Sequence, residues 1–352
     1  MKLSILGTDD QSKVEDVTPL NFISYEALIK DECAKPEWLI EPLICAGDRV
    51  LVFGESGHFK SWLLLHLALH LSTGQPWFDK FECGGAPKKV LVIDAEMSRQ
   101  QLRSRIMRLA KGIGINSDDL PLEFISRENL IFTEDGVQRL CTALNDRGFD
   151  PDVVLVDTFR RVFTGNENEA KDVNAFWRDI EPLNRAGRTL IFVHHMKKPN
   201  KKMQSAELIH RASGSTDIIA GVDSSLAISR SNGTRDIGFI QHVKCRAGEE
   251  YEAFNVKFVE DNDTVRFVYE ATRSVAASQE RKHKVLQFLD SQPDKRAHKK
   301  ALITHLQMSF ETLDKVLQEL GNSQSIFQQK KGKYTWVHLI NNQPLTPTKV
   351  EV

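Results

Sequence analysis

The sequence predicts an α/β fold: a mainly parallel sheet with an antiparallel extension, followed by a small helical module that ends in a hairpin. Three observations carry this reading. Continuous apolar runs at 88–94 (KKVLVID), 152–157 (DVVLVD) and 189–193 (TLIFV) alternate with helical stretches, as strands covered on both faces by helices do. Four shorter strand-like segments at 224–229, 237–244, 254–259 and 264–269 then follow one another with tight connections. Beyond residue 279 three short helical patterns precede two strands joined by Lys330-Lys331-Gly332-Lys333.

In chain order, residues 1–36 read as an arm, polar at first, with a short helix over 22–31. Pro36 to Ile44 is a proline-bracketed extended segment. Residues 48–53 form a strand, and the helix after residue 60 is apolar on nearly every face, so it is expected to be buried until Gly74 and Pro76 stop it. Ser98 is the expected N-cap of an amphipathic helix running to about Gly112. Leu130–Phe132 reads as a short strand, 134–147 as a helix and 172–185 as one helix. The polar stretch 272–278 reads as a linker between a domain at 37–275 and a second at 279–340, with a tail at 341–352. The arrangement in the second domain is that of a winged helix.

The 352 residues carry a net charge of −1, with 41% hydrophobic and 27% charged residues. Nucleic-acid binding would therefore need local basic patches. The five cysteines are scattered without a C-x-x-C pair, which points to reduced thiols and against a zinc site. No secretory signal and no membrane-length apolar run is present, so a cytoplasmic location without membrane contact is expected.

The chemistry centres on residues 54–61, Gly54-Glu55-Ser56-Gly57-His58-Phe59-Lys60-Ser61, between a strand and an apolar helix that opens with Trp62. A glycine-containing loop in that context cradles nucleotide phosphates on backbone N–H groups at a helix start. Lys60 would reach the β- and γ-phosphates and Ser61 would ligate Mg²⁺. Phe59 stands where the pattern expects a second glycine. Three further strands end in residues suited to the same task. Asp157 is the expected carboxylate on the Mg²⁺ side, Glu96 could orient or deprotonate water, and His195 could sense the γ-phosphate.

These residues carry a family resemblance. The stretches VVLVDTFRRVF, LIFVHHMKK, HRASGST and IDAEMSRQQLRSRI resemble segments of RecA-like ATPases, among them RepA-type plasmid replicative helicases and, more distantly, DnaB-type helicases. The resemblance spans roughly residues 37–260. It implies ATP hydrolysis in a ring, usually hexameric, that moves along single-stranded DNA, and it places the catalytic glutamate at Glu96. HVKCRAGE resembles a strand whose two basic residues, here Lys244 and Arg246, enter the neighbouring subunit's nucleotide site. By position, channel loops would fall at 159–170 and 196–214, the second made basic by Lys197, Lys198, Lys201, Lys202 and Arg211.

Residues 279–340 carry eleven Lys and Arg against six Asp and Glu, a net of +5. Their third helix, with Lys315, would be a recognition helix, and Lys330, Lys331 and Lys333 the wing, making duplex DNA a second candidate partner. The resulting expectation is an oligomeric ATP-hydrolysing replicative helicase of a plasmid or other mobile element. The alternatives are an ATP-sensing DNA-binding regulator or loader, and a recombination accessory ATPase that forms filaments.

Overall fold

The computed structural model describes residues 22–30, 36–195, 216–230, 236–332 and 334–340. The chain falls into two units, Met1–Glu37 and Trp38–Val352. The first contains helix α1 (Tyr25–Lys30), shorter than the helix expected there.

In the second unit, β1 (Trp38–Ile40) and β2 (Ile44–Cys45) form a two-stranded antiparallel pair where a single extended segment was expected. Strand β3 (Arg49–Gly54) and helix α2 (Lys60–Thr73) follow, then β4 (Val90–Asp94), α3 (Arg99–Ile113) and β5 (Leu122–Ser126). Next come α4 (Glu134–Arg147), β6 (Val153–Asp157), α5 (Phe159–Val162), α6 (Ala170–Asp179), α7 (Glu181–Arg185) and β7 (Thr189–His195). A short helix α8 (Thr216–Ala220) leads to β8 (Ser224–Arg230), β9 (Ile237–Cys245), β10 (Phe254–Glu260) and β11 (Val265–Thr272).

These strands build a nine-stranded sheet in the order β11-β10-β9-β8-β3-β7-β6-β4-β5. The six strands from β8 to β5 are parallel, and β9, β10 and β11 extend the sheet antiparallel. Alternate residues of the central strands enter two apolar layers. Val50, Val52, Val90, Val92, Leu155 and Val193 pack beneath α2 and α3, while Leu51, Phe53, Leu91, Ile93, Val156 and Phe192 face α4 to α7. Helix α2 is buried on nearly every face, as its composition requires, and Gly74 closes it in the left-handed conformation that glycine adopts without steric cost. Ser98 caps α3 through a reciprocal pair with Gln101.

Four sequence expectations are corrected. The strand beside β4 is Leu122–Ser126 and not Leu130–Phe132, whose Leu130 and Phe132 are buried in an irregular segment pinned by a bond from Phe132 N–H to the Val162 carbonyl. The helix expected over 172–185 breaks at Ile180, with Pro182 in the first turn of the second piece. The linker expected at 272–278 is helical: α9 (Arg273–Ser291) starts directly from β11. The last module gains a strand, β12 (Arg296–His298).

After β12 come α10 (Lys299–Leu306), α11 (Phe310–Asn322), β13 (Ile326–Lys331) and β14 (Tyr334–Leu339). The last three strands form a separate antiparallel sheet in the order β12-β14-β13. Its inner face joins α9, α10 and α11 in a core of its own, including Val285, Leu289, Leu302, Leu313, Leu317, Ile326 and Val337. Among the described residues no helix is long and apolar enough to cross a membrane. Cys45, Cys83, Cys141 and Cys245 are free thiols.

Candidate nucleotide site

The loop from β3 to α2 turns at the carboxyl end of the parallel sheet, the edge where open α/β sheets bind ligands. Gly54 is required by packing. A Cβ there would lie 2.2 Å from the Ile228 carbonyl oxygen of the neighbouring β8. Gly57 has φ +80, a left-handed angle.

Phe59 has φ 58 and ψ 0, so the residue in the expected glycine position adopts a glycine-like backbone. That conformation costs an L-residue about 1–2 kcal/mol. Its buried ring supplies the compensation. It stacks on Phe258 at 4.6 Å between centroids, meets Phe267 edge-on at 6.0 Å and carries the Arg230 guanidinium 3.8 Å above it. Burying a phenylalanine ring stabilises by about 1.5–3 kcal/mol, which offsets the backbone cost. The loop is thereby fastened to the antiparallel extension of the sheet.

Lys60 is buried, and its ammonium donates to the carbonyls of Gly54 (2.9 Å) and Glu55 (2.7 Å). Burial lowers its pKa, and the nearby Asp157, Glu96 and Glu55 carboxylates oppose that. Asp157 ends β6 and is buried, which pushes its pKa up to about 6 against the hydrogen bond it receives from Ser61. Its Oδ1 is buried without a partner. Asp94 lies opposite Asp157 on the adjacent β4 and accepts from the Glu96 and Met97 N–H groups. An orphaned carboxylate oxygen, a hydroxyl beside it and a second buried carboxylate make a donor set that fits a divalent cation. Ser61 and Asp157 would hold it, with Asp94 behind them. Among the described residues no group of three or more His, Cys, Asp and Glu could hold a metal alone. A cation held there would need further oxygen ligands, of the kind a nucleotide's phosphates supply.

Glu96 is exposed at the mouth, with its carboxylate 3.7 Å from Arg161 Nε and its carbonyl accepting from Arg127. His195 stands opposite Gly54 on the neighbouring β7, and burial, then the Lys60 charge, lowers its pKa. Its neighbour His194 points inward against Phe159. Together the loop, Trp62, Glu96, Asp157 and His195 line one cleft of about 390 Å³, the size of a small-ligand site.

Three residues of this site were not singled out in the sequence. Arg105 on α3 lines the cleft, lies 4.7 Å from the Trp62 ring and feels the Asp157 and Asp94 charges. Arg230 ends β8, so the strand-end rule that selected Asp157 and His195 applies to it equally. Asp94 closes β4 two residues before Glu96.

Lys244 and Arg246 lie at the other end of the sheet. Strand β8 pairs Ile228 with Gly54 but Ser224 with Val50, and Ser224 also pairs with Cys245. Four residues of strand, roughly 13 Å, separate the two ends. The sequence suggests that this cationic pair seeks an external anion, yet the chain supplies partners of its own. Arg246 Nη1 binds Asp223 Oδ1 at 2.7 Å and Nη2 donates to the Ala220 carbonyl at 2.9 Å. Lys244 donates to the carbonyls of Ile219, Ala220 and Val222 around the end of α8.

Of the expected nucleic-acid contacts, Lys315, Lys330 and Lys331 are exposed on the last module. Lys197, Lys198, Lys201, Lys202, Arg211 and Lys333 lie outside the described residues, as does the whole of the segment 196–214. The segment 159–170 forms α5 and an irregular turn, with Phe159 and Val162 buried.

A family model described as AAA domain matches residues 15–201, more than half of the chain and all of the cleft's loop, Asp157 and His195. The chain belongs to the AAA domain family. An AAA domain is a P-loop ATPase-like module, which supports ATP hydrolysis by this chain in general terms. No curated protein matches the chain.

Proposed function

We propose that this AAA-domain protein is an ATP-hydrolysing motor that acts on DNA, assembled as an oligomeric, ring-shaped replicative helicase of a plasmid or other mobile element, as its resemblance to RepA-type helicases implies. One observation carries the reading. The phosphate loop, Asp157, Glu96 and His195 face one cleft, while Lys244 and Arg246 stand at the opposite end of the sheet. That division suits a nucleotide site shared between subunits. In this reading Lys60 holds the β- and γ-phosphates, Glu96 positions water and His195 reads the γ-phosphate. Mg²⁺, when bound with ATP, neutralises developing phosphate charge, and Ser61 and Asp157 are the residues that would hold it. The module from residue 273 would act as a DNA-binding winged helix. The deciding experiment measures ATP turnover with and without unstructured single-stranded DNA in the wild type and in Lys60→Ala. Turnover stimulated by DNA and lost in the variant supports the proposal, whereas turnover that DNA leaves unchanged removes the motor.

Phe59 favours a second reading, an ATP-sensing DNA-binding regulator or loader with slow turnover. Its left-handed backbone and its packing onto Phe258 tie the loop to the sheet extension, which would restrain loop rearrangement. A recombination accessory ATPase would differ in assembly, and native mass separates filaments from closed rings.

A further inference from the structure

The three-stranded sheet of the last module buries one face and exposes the other. Ile326, Val337 and Ala297 point into the module's core. Strand alternation therefore directs Phe327, His338, Arg296, Trp336, Lys331 and Tyr334 to the opposite face. Pairing sets them side by side: Phe327 opposite His338, His338 opposite Arg296, and Lys331 opposite Tyr334.

This face is aromatic and basic. Phe327 and Tyr334 are 49% and 48% exposed, unusual for aromatic side chains on a sheet that has a core beneath it. The Phe327 ring lies parallel to the His338 imidazole at 4.4 Å, and the Arg296 guanidinium sits 5.4 Å from the Trp336 ring. Arg296 is also paired with Asp294, which lies outside the strands. None of the fifteen residues of β12, β13 and β14 is Asp or Glu. Helix α11 has the contrary character: its exposed positions include Glu311 and Glu319 around Lys315. Glu319 is paired with Lys282, so a polyanion meets less net positive charge along the helix than at the sheet.

We propose that the outward face of the β12–β14–β13 sheet is a stacking platform for single-stranded nucleic acid. The rings offer flat surfaces to unpaired bases, and Lys331 and Arg296 offer charge to the phosphates. Stacking on aromatic side chains beside a cationic track binds single strands without sequence preference, because every base has a π face. Duplex bases are stacked on one another and present only their edges, which leaves the Phe327 and Tyr334 rings no base face to stack on. Aromatic positions two residues apart on a strand are roughly 7 Å apart, a step that an extended nucleotide chain can bridge.

Two measurements on the full-length protein test the platform. In the first, an oligothymidylate carrying 5-iododeoxyuridine is photocrosslinked and the attached residues are mapped by mass spectrometry. Crosslinks at Phe327, Tyr334 or Trp336 are expected. In the second, Phe327→Ala and Tyr334→Ala are compared with wild type for binding of a 20-nucleotide oligothymidylate and a hairpin duplex. Each lost ring should weaken single-strand binding about fivefold or more and leave duplex binding less affected, and Lys331→Glu should act in the same direction. Both aromatic side chains are exposed, so the fold should survive. Crosslinks confined to other segments, or a loss of duplex binding larger than that of single-strand binding, would overturn the platform.

Discussion

Phe59 combines a left-handed backbone with a well-packed ring, and two substitutions separate these contributions. Phe59→Ala keeps the unfavourable backbone angle and discards the contacts with Phe258, Phe267 and Arg230, so it should destabilise by about 3–5 kcal/mol. Phe59→Gly loses the same contacts but removes the backbone cost, and should be less destabilising by about 1 kcal/mol. Urea midpoints of the two variants give the comparison, and equal values would mean that the backbone angle carries no cost. At Lys60 the expectation is kinetic. Its ammonium is the buried cation of the cleft's floor, and Lys60→Ala should raise the hydrolysis barrier by about 3–4 kcal/mol. Glu96→Gln should retain ATP affinity and lose turnover, because Glu96 sits at the exposed mouth and leaves the phosphate loop untouched. Normal hydrolysis by that variant would reduce Glu96 to a residue at the helix start. The cleft's main members were legible because each ends a strand or lies in the loop, and parallel strands end at one edge. Arg105 was not legible, since it reaches the cleft from the second turn of a helix whose rotation about its axis no local pattern specifies.

Helix α2 shows how burial turns a sequence pattern into pH dependence. His66 Nδ1 accepts from Trp77 Nε1 at 3.1 Å, so its Nε2 carries the proton that faces His70 Nε2 at 3.2 Å. Burial lowers the pKa of both histidines. On β9, His242 Nδ1 accepts from the Tyr251 N–H and its Nε2 meets the Ser224 hydroxyl, and burial lowers its pKa to about 4. A histidine depressed in the folded state stabilises fully above its unfolded value near 6.5, and that stability is lost as pH falls towards the folded value. Asp48 and Asp157, raised to about 6 by burial, titrate in the opposite sense. The difference between wild type and His242→Gln isolates the histidine. Between pH 6.5 and 4.5 the wild type should lose up to about 1.4 kcal/mol per pH unit that the variant does not lose, read from urea midpoints at each pH. Parallel pH profiles would rule out a buried neutral His242. Elements with strong burial or caps were legible in the sequence, among them β4, β6, β7, α4 and the Ser98-capped α3. Edge strand β5 was hidden because its five residues are all half-buried, and Leu130 and Phe132 supply apolar side chains nearby without pairing. The start of α9 was hidden because residues 272–278 carry no apolar periodicity, although Val275, Ala276 and Ala277 are compatible with a helix, and the later turns of the same helix dock onto α11 and the last sheet.

At the scale of the second unit, the two ends of the large sheet differ in character. One holds the phosphate loop, and the other holds Lys244 and Arg246 against Asp223 and the carbonyl end of α8. Within one chain the cations cannot reach the loop, since the register places them a strand length away. A catalytic role for Arg246 therefore requires a second subunit, and in phosphoryl-transfer enzymes an arginine supplied that way raises turnover by roughly three to five orders of magnitude. The competing role is local: the Arg246–Asp223 pair anchors the turn between α8 and β8. This pair is largely exposed on the arginine side, and exposed ion pairs contribute about 0–1 kcal/mol, so Arg246→Ala should fold in either case. Mixing separates the two roles. Lys60→Ala subunits keep Arg246 and Arg246→Ala subunits keep Lys60, so a mixed interface can unite one intact copy of each. If the site is shared, two preparations that are inactive alone should regain ATPase activity in proportion to the fraction of such interfaces. If Arg246 acts only within its own chain, its loss leaves turnover intact or impairs it whatever the partner, and mixtures shown to co-assemble should never exceed the sum of their parts.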